Sequence, residues 1–206
     1  MCLLPDLEAA VPDAFSRRDK CAGELAGDAE RVAFVCRDMA SRFHRGGKLL
    51  VFGNGTAGCD AGHIAVEFMH PVTVGKRALP AMALTNDGAS VTGIGARAGF
   101  AEIYAHQLRH FAGVADIALG VSSDGRCAAV RRGLEVAREL GLLTVALLGG
   151  DGGELADSAT VDHALVVRSA DPLVVKEVHV TTYHVLWELV HVFLDRPGVL
   201  RPEVVA

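Results

Sequence analysis

Several common sequence features are missing from this chain, and each absence argues against a class of protein. The five cysteines form no C-x-x-C pair, which argues against a zinc finger, and their odd number argues against a disulfide framework. No apolar run approaches the ~20 residues that a membrane-spanning helix needs. The N-terminal stretch MCLLPDLEAAVPDAF lacks the basic segment and long apolar run of a signal peptide. We therefore expect a cytoplasmic protein that does not bind a membrane.

Composition and charge place the chain among ordinary globular proteins. Half of its 206 residues are hydrophobic and 22% are charged, with a net charge of -5. A negative chain has no general attraction for nucleic acid, so nucleic acid is not an expected partner. The length suits one domain with a sizeable core, and we find no repeat, linker or low-complexity segment. We expect a single domain over residues 1–206.

The pattern of apolar runs predicts an α/β fold. Short, continuously apolar runs, which are typical of strands covered on both faces, occupy residues 48–53, 79–85, 115–123, 142–150 and 163–168. Helical patterns such as that of residues 125–141 lie between most of them. This alternation predicts a parallel sheet with helices on both faces.

Two regions stand outside that alternation. Residues 5–45 have the pattern of two helices, and residues 172–194 have that of one long helix that is apolar on most of its circumference. Such a helix is usually buried on several sides. One domain of this size is not expected to cover all the apolar residues of this helix, which include Val174, Val178, Leu186, Leu189 and Phe193. We therefore expect this helix to pack against another subunit.

Two glycine-rich or serine-rich turns follow predicted strands, where ligands bind in open parallel sheets. They are GNGTAG (53–58) and SSDGR (122–126), and both can direct backbone N–H groups and a helix N-terminus at an anion. The alternative is that each is a tight turn that binds nothing. Neither has the spacing of a dinucleotide-binding loop or a Walker lysine, so no nucleotide cofactor is expected.

Histidines and carboxylates at helical spacing are candidates for chemistry. His63 and Glu67, four residues apart, lie on one face of the helix after the first turn, where they could form a metal site, an acid/base pair or an ordinary surface pair. His184 lies on the long C-terminal helix, where Glu177, Glu188 and His191 fall at helical spacings from it. A polar stripe at a subunit interface is therefore an alternative for His184. Spacing alone does not choose between them.

Four stretches together resemble a known family. GGKLLVFGNGTAGCDAGHIAVEF, GVSSDGR, LLTVALLGGDGGELADSATVDHALVV and KEVHVTTYHVLWELVHVF are similar, in matching order, to the sugar isomerase (SIS) family and its phosphoheptose isomerase branch. The resemblance implies a flavodoxin-like three-layer sandwich with a five-stranded parallel sheet. It also implies a homotetramer with active sites between subunits. The helices of residues 1–45 would serve oligomerisation, and residues 46–195 would form the α/β core and C-terminal helix.

The resemblance also implies residue roles. His63, Glu67 and His184 match zinc ligands, and Glu67 and His184 match the acid/base pair of an aldose–ketose isomerisation through an enediol. Asn54, Gly55 and Thr56 match the first substrate-binding turn. Further substrate contacts are expected at positions Arg97, Ser122, Ser123, Asp124, Arg126 and Lys176.

The chain departs from the family pattern at several of these positions. Ala57 and the pair Ala96-Arg97 replace a serine and an Asn-Asp pair, while Asp124 and Cys127 replace serines of the phosphate loop. Lys176 replaces the glutamine that completes the zinc site. An ammonium group has no lone pair for a metal, so we expect zinc binding to be weak or absent. An aspartate in a phosphate loop repels phosphate, so we expect a phosphosugar held differently or a related anionic sugar.

Two functions from different classes follow. The leading hypothesis is an isomerase of a phosphosugar or related anionic sugar, favoured by the presence of His63, Glu67 and His184. The alternative is a non-catalytic SIS protein that binds a sugar phosphate or regulates a partner, including the type that binds the replication initiator DnaA. Asp124 and Lys176 favour that alternative.

Overall fold

Five parallel strands form a single sheet in the computed structural model, which describes residues 5–200 without the side chains of residues 5–7 and 9. The strands are β1 (Leu49–Gly53), β2 (Ala81–Ala83), β3 (Ile117–Ser122), β4 (Leu143–Gly149) and β5 (His163–Val167). They pair in the order β2-β1-β3-β4-β5. Each lies within one predicted apolar run, so the predicted parallel sheet is confirmed. Cys2 and both ends of the expected 1–206 domain lie outside the described residues.

Seven helices of the described residues surround the sheet. They are α1 (Pro5–Gly27), α2 (Ala29–His44), α3 (Thr56–Met69), α4 (Gly88–Ala98), α5 (Ile103–Phe111), α6 (Ala128–Glu139) and α7 (Pro172–Leu194). The two predicted N-terminal helices and the long C-terminal helix are therefore present. Within residues 5–200, none of the helices combines the length and apolarity needed to cross a membrane.

The sheet has a hydrophobic core on each face. Leu49 and Val51 of β1 pack into a cluster with residues of α2, α3 and α7. Leu50 and Phe52, which point the other way because side chains alternate along a strand, pack with residues of α5 and α6. The architecture is thus the expected three-layer sandwich.

The long helix α7 is covered mainly by its own chain. Val174, Val178 and Leu186 are buried within it, so the expectation that one small domain could not cover them is wrong. The reason is that α1 and α2 pack along α7 in addition to the sheet. Its exposed apolar residues are instead Leu173, Val185 and Val192.

The two predicted ligand turns lie side by side at the carboxyl edge of the sheet. They follow β1 and β3, which are neighbours, and the chain leaves these two strands toward opposite edges of the sheet. Such a divergence opens a crevice, the usual ligand position in this type of sheet. In the second turn Gly125 has a φ of 70°. A Cβ atom there would lie 1.8 Å from the carbonyl oxygen of Gly152, so only glycine fits.

Candidate active site

Three predicted residues from two helices converge at one point. His63 and Glu67 project from α3, and His184 projects from α7, which packs beside α3. The His63 Nε2 atom lies 3.2 Å from Glu67 Oε1, and His184 Nε2 lies 4.0 Å from the same oxygen. All three ligand atoms lie within 4.8 Å of one another. The cluster can therefore hold a metal ion or move a proton.

Burial differs across this cluster. The Glu67 side chain is 11% exposed, whereas those of His63 and His184 are 43% and 42% exposed. The carboxylate therefore lies at the base of the cluster, between two imidazoles that face solvent.

Each imidazole is held through its Nδ1 atom. His184 Nδ1 lies 2.7 Å from the Val180 carbonyl oxygen, and His63 Nδ1 lies 2.6 Å from the Tyr183 hydroxyl. A carbonyl only accepts, so His184 Nδ1 carries a hydrogen and the Nε2 lone pair of the neutral ring is free. Burial, aided by the negative charges of Asp60 and Glu67, raises the pKa of the Tyr183 phenol, so this hydroxyl keeps its proton.

The other polar residues of α7 do not join the cluster. Glu177 pairs with Arg18 of α1. The ring nitrogens of His191 lie 2.9 and 3.0 Å from the carbonyl oxygens of Trp187 and Arg77, and a neutral ring donates to one of them at a time. Both side chains are engaged inside the chain. Of the polar stripe expected on α7, His184 is the member that faces α3.

Lys176 is engaged away from the cluster. Its ammonium group pairs with the carboxylate of Asp60 and donates to the Thr56 carbonyl at 3.0 Å. The Asp60 side chain is only 4% exposed, so the ion pair supplies charge compensation for a buried carboxylate. Lys176 thereby fastens α7 to the start of α3.

The first turn is joined to the second by a side-chain contact. The Tyr104 hydroxyl lies 2.6 Å from the Gly53 carbonyl and also contacts Asn54 Oδ1. The Asn54 amide donates to Cys127 Sγ at 3.0 Å. The Asn54 side chain is thus held in place, while Gly55 and Thr56 are exposed at the start of α3.

In the second turn, the Asp124 carboxylate accepts hydrogen bonds from donors that a bound anion would use. Its Oδ1 atom accepts from the Arg126 backbone N–H at 2.9 Å and from the Ser122 hydroxyl at 3.2 Å. Ser123, the next candidate contact, is exposed. The turn therefore already contains a carboxylate in a place suited to a bound anion.

The basic residues near these turns are largely neutralised. The Arg126 guanidinium makes two hydrogen bonds to Asp151, at 2.8 and 2.7 Å, and does not pair with the Asp124 carboxylate. These bonds lower the pKa of Asp151 and keep it ionised. Arg97 lies exposed in the last turn of α4 and makes no hydrogen bond or ion pair within residues 5–200. Of the three predicted basic contacts, Arg97 alone has an uncompensated charge among the described residues.

A cleft of about 450 Å³ lies beside the first turn. It is lined by residues of the turn, of one face of α3, of the segment after β2, and of α4, α5 and the stretch between them, among them Asn54, Gly58, Thr85, Asn86, Phe100 and Tyr104. Sequence reasoning missed Thr85, Asn86 and Tyr104, as well as Tyr183 and Asp60. These residues reach the site through tertiary contacts, which leave no periodic signal in the sequence.

Comparisons with known proteins agree with this architecture. A family model for the SIS domain matches residues 22–149. The phosphoheptose isomerase of Geobacter sulfurreducens is 40% identical over 167 residues, which cover 81% of this chain and 86% of that protein. A solved phosphoheptose isomerase from Francisella tularensis has a TM-score of 0.82 at 28% identity, covering 91% of this chain and 99% of that chain. The corresponding structure from Neisseria gonorrhoeae has a TM-score of 0.80 at 27% identity, with coverages of 89% and 98%.

The ion pair between Lys176 and Asp60 predicts a loss of stability on substitution. In Lys176→Met the buried Asp60 carboxylate loses its cation, and we expect the free energy of unfolding to fall by about 1–3 kcal/mol. Urea denaturation at one fixed protein concentration measures this change in the free energy of unfolding. Lys76→Met, which breaks the more exposed pair with Asp195, is the matched control and should cost less than about 1 kcal/mol. Equal losses in both variants would contradict the structural role of the buried pair.

Proposed function

We propose a function from one premise, that the chain belongs to the SIS domain family and, within it, to the phosphoheptose isomerases. It is an aldose–ketose isomerase whose substrate is a phosphosugar of the sedoheptulose 7-phosphate type. The observation that carries this proposal is the convergence of Glu67, His184 and His63, two of them on the helix that begins at the first ligand turn. The curated relatives favour the isomerase over the non-catalytic binding protein.

The acid/base roles fall to Glu67 and His184. In an aldose–ketose isomerisation, one group takes a proton from the carbon next to the carbonyl and returns it to the former carbonyl carbon. A second group moves a proton between the two oxygens. The Glu67 carboxylate and the free His184 Nε2 lone pair lie 4.0 Å apart. This separation allows both to address the adjacent carbon and oxygen atoms of one sugar.

The same three residues fit a zinc ion. Tetrahedral zinc with nitrogen and oxygen ligands near 2.1 Å has ligand atoms about 3.4 Å apart. Glu67 Oε1 lies 3.2 and 4.0 Å from the two imidazole nitrogens, and all three ligand atoms lie within 4.8 Å of one another. Two imidazoles and a carboxylate are a suitable donor set, and a fourth position stays open for the substrate. When bound, the metal would polarise the sugar oxygens as a Lewis acid.

Lys176 bears on how tightly zinc would bind. Its ammonium is paired with Asp60, so it supplies no ligand, and the site has three protein ligands where the family pattern has four. We propose that zinc binds more weakly here than in relatives with the glutamine. Catalytic zinc sites with three protein ligands are nevertheless common.

Glu67→Gln tests the catalytic proposal. The amide cannot accept the proton, so we expect turnover of sedoheptulose 7-phosphate to fall about 10²–10⁴-fold, with the oligomer intact. Isomer formation is followed by chromatography of the sugar phosphates. Glu188→Gln, an exposed residue on the same helix as His184, is the control and should keep full activity. Undiminished turnover by Glu67→Gln would remove Glu67 as an acid/base group.

Asp124→Ser tests how the second turn treats phosphate. Two charges 4 Å apart interact by about 1 kcal/mol in water and by about 4 kcal/mol near a protein surface. Removing the carboxylate also frees the Arg126 N–H and the Ser122 hydroxyl, so we expect sedoheptulose 7-phosphate to bind at least about ten-fold more tightly.

The affinity is best measured calorimetrically in the Glu67→Gln background, where turnover is expected to be slow. Asp195→Ser makes the same change of charge at the far end of α7 and should leave the affinity unchanged. An unchanged affinity in Asp124→Ser would show that the substrate phosphate does not approach this turn.

The oligomeric state is also a proposal. An apolar groove of about 510 Å³ runs between α1, α2 and α7, lined by Leu25, Ala26, Ala29, Val32, Val185 and Leu189 among others. Burying this groove against a second copy is favourable in proportion to the apolar area removed from water. We propose a homotetramer in which α7 and the helices of residues 1–45 form the contacts.

Light scattering at micromolar concentration measures the assembly. We expect a mass near four times 21.6 kDa for the unmodified chain. Val185→Glu should give smaller species because it places a charge in the groove, whereas Val114→Glu, exposed in the α5–β3 turn, should not. A monomer of the unmodified chain would contradict the proposal.

A further inference from the structure

The two imidazoles of the cluster are held by partners of different chemistry. Behind His184 is a backbone carbonyl, 2.7 Å from Nδ1, which can only accept a hydrogen bond. The neutral His184 ring is therefore fixed as the tautomer with hydrogen on Nδ1, and its Nε2 always offers a lone pair. The hydrogen of the neutral His184 ring thus has one position.

Behind His63 is a hydroxyl, which can either donate or accept. Tyr183 Oη lies 2.6 Å from His63 Nδ1, and on the other side of the ring His63 Nε2 lies 3.2 Å from Glu67 Oε1. The hydrogen of the neutral His63 ring has two possible positions, and only the first satisfies both contacts without a metal ion. With the hydrogen on Nε2, His63 donates to Glu67 and accepts from Tyr183. With the hydrogen on Nδ1, His63 donates to Tyr183 and its Nε2 lone pair is free to bind a metal ion.

We propose that Tyr183 is a positioning residue that allows His63 to exchange between these two tautomers as a divalent metal ion binds and leaves. This inference rests on the proposed metal site of His63, Glu67 and His184. Without the metal, His63 supplies a hydrogen bond to the buried Glu67 carboxylate. With the metal, the Tyr183 oxygen accepts the Nδ1 hydrogen and fixes the ring for ligation, as partners behind metal-bound histidines do.

The hydroxyl of Tyr183 has no other role among the described residues. Its one hydrogen-bond partner within residues 5–200 is His63. The ring packs edge-on against His63, with centroids 5.3 Å apart, and lies 4.9 Å from the His184 ring. A phenylalanine would retain both ring contacts and lose only the hydroxyl. Tyr183→Phe therefore separates the proposed role from packing.

Zinc affinity is the first measurement. Competition between the intact protein and a chromogenic chelator should show that Tyr183→Phe binds zinc about 10–100-fold more weakly than the unmodified protein. Thr182→Val is the matched control, because it removes a hydroxyl from the neighbouring residue, whose one hydrogen-bond partner among the described residues is the Val178 carbonyl. This control should keep the original affinity. Equal zinc affinities of Tyr183→Phe and the unmodified protein, or no zinc binding by the unmodified protein, would overturn the inference.

Nitrogen NMR of the histidine rings is the second measurement, and it needs no variant. In the unmodified protein we expect His63 to carry its hydrogen on Nε2 without zinc and on Nδ1 with zinc, while His184 keeps it on Nδ1 throughout. A His63 ring with the same tautomer in both states would overturn the inference. Neither measurement depends on turnover. If Glu67→Gln retained full activity while both results appeared as expected, the catalytic proposal would fail and the role of Tyr183 would stand.

Discussion

The packing of α7 alongside α3 is the constraint on which the site depends. Neither helix carries a complete cluster, so the site exists only while the two helices keep their register. Asp60 meets Lys176 at one end, and Glu67 meets His184 at the other. These contacts are seven residues apart on α3 and eight on α7, about 11 and 12 Å along parallel helices. A shift of one turn, about 5.4 Å, would break both contacts at once.

The ion pair and the cluster both stabilise this register of the two helices, at different points along them. Lys176 and Asp60 lie near the first ligand turn, where the buried carboxylate makes their separation costly. The Tyr183 ring contacts both imidazoles, whose centroids lie 5.2 Å apart. The polar groups at this helix contact are thus satisfied within the chain, and the Nε2 side of the cluster remains open to a ligand.

Much of the fold could be predicted from the sequence because its signals are local. Continuous apolar runs identified every strand of the described residues, although the run at 79–85 contains only the three-residue strand β2. The apolar pattern of residues 172–194 predicted the bounds of α7, which the structure places at Pro172–Leu194. The prediction that a second subunit must cover Val178 and Leu186 was wrong, because periodicity shows that a face is apolar and does not show what covers it.

The site was only partly predictable for the same reason. The spacing of His63 and Glu67 placed them on one helix face, but their approach to His184 came from family resemblance rather than from spacing. Charge reasoning recognised that Lys176 cannot bind a metal as an ammonium. It could not identify Asp60 as the partner, because 116 residues separate the two in the chain. The contact of Tyr183 with His63 also joins distant segments.

The close approach of Gly125 to the Gly152 carbonyl has a consequence for altering substrate preference. The backbone of the second turn is in close contact with a neighbouring loop, so it cannot change conformation without moving that loop as well. Residues 123, 124 and 126 are exposed on this fixed path. The turn thus has a fixed backbone, whereas its exposed side chains can be replaced. Combinatorial libraries that vary these three positions and retain both glycines would sample new ligand chemistry while preserving the architecture.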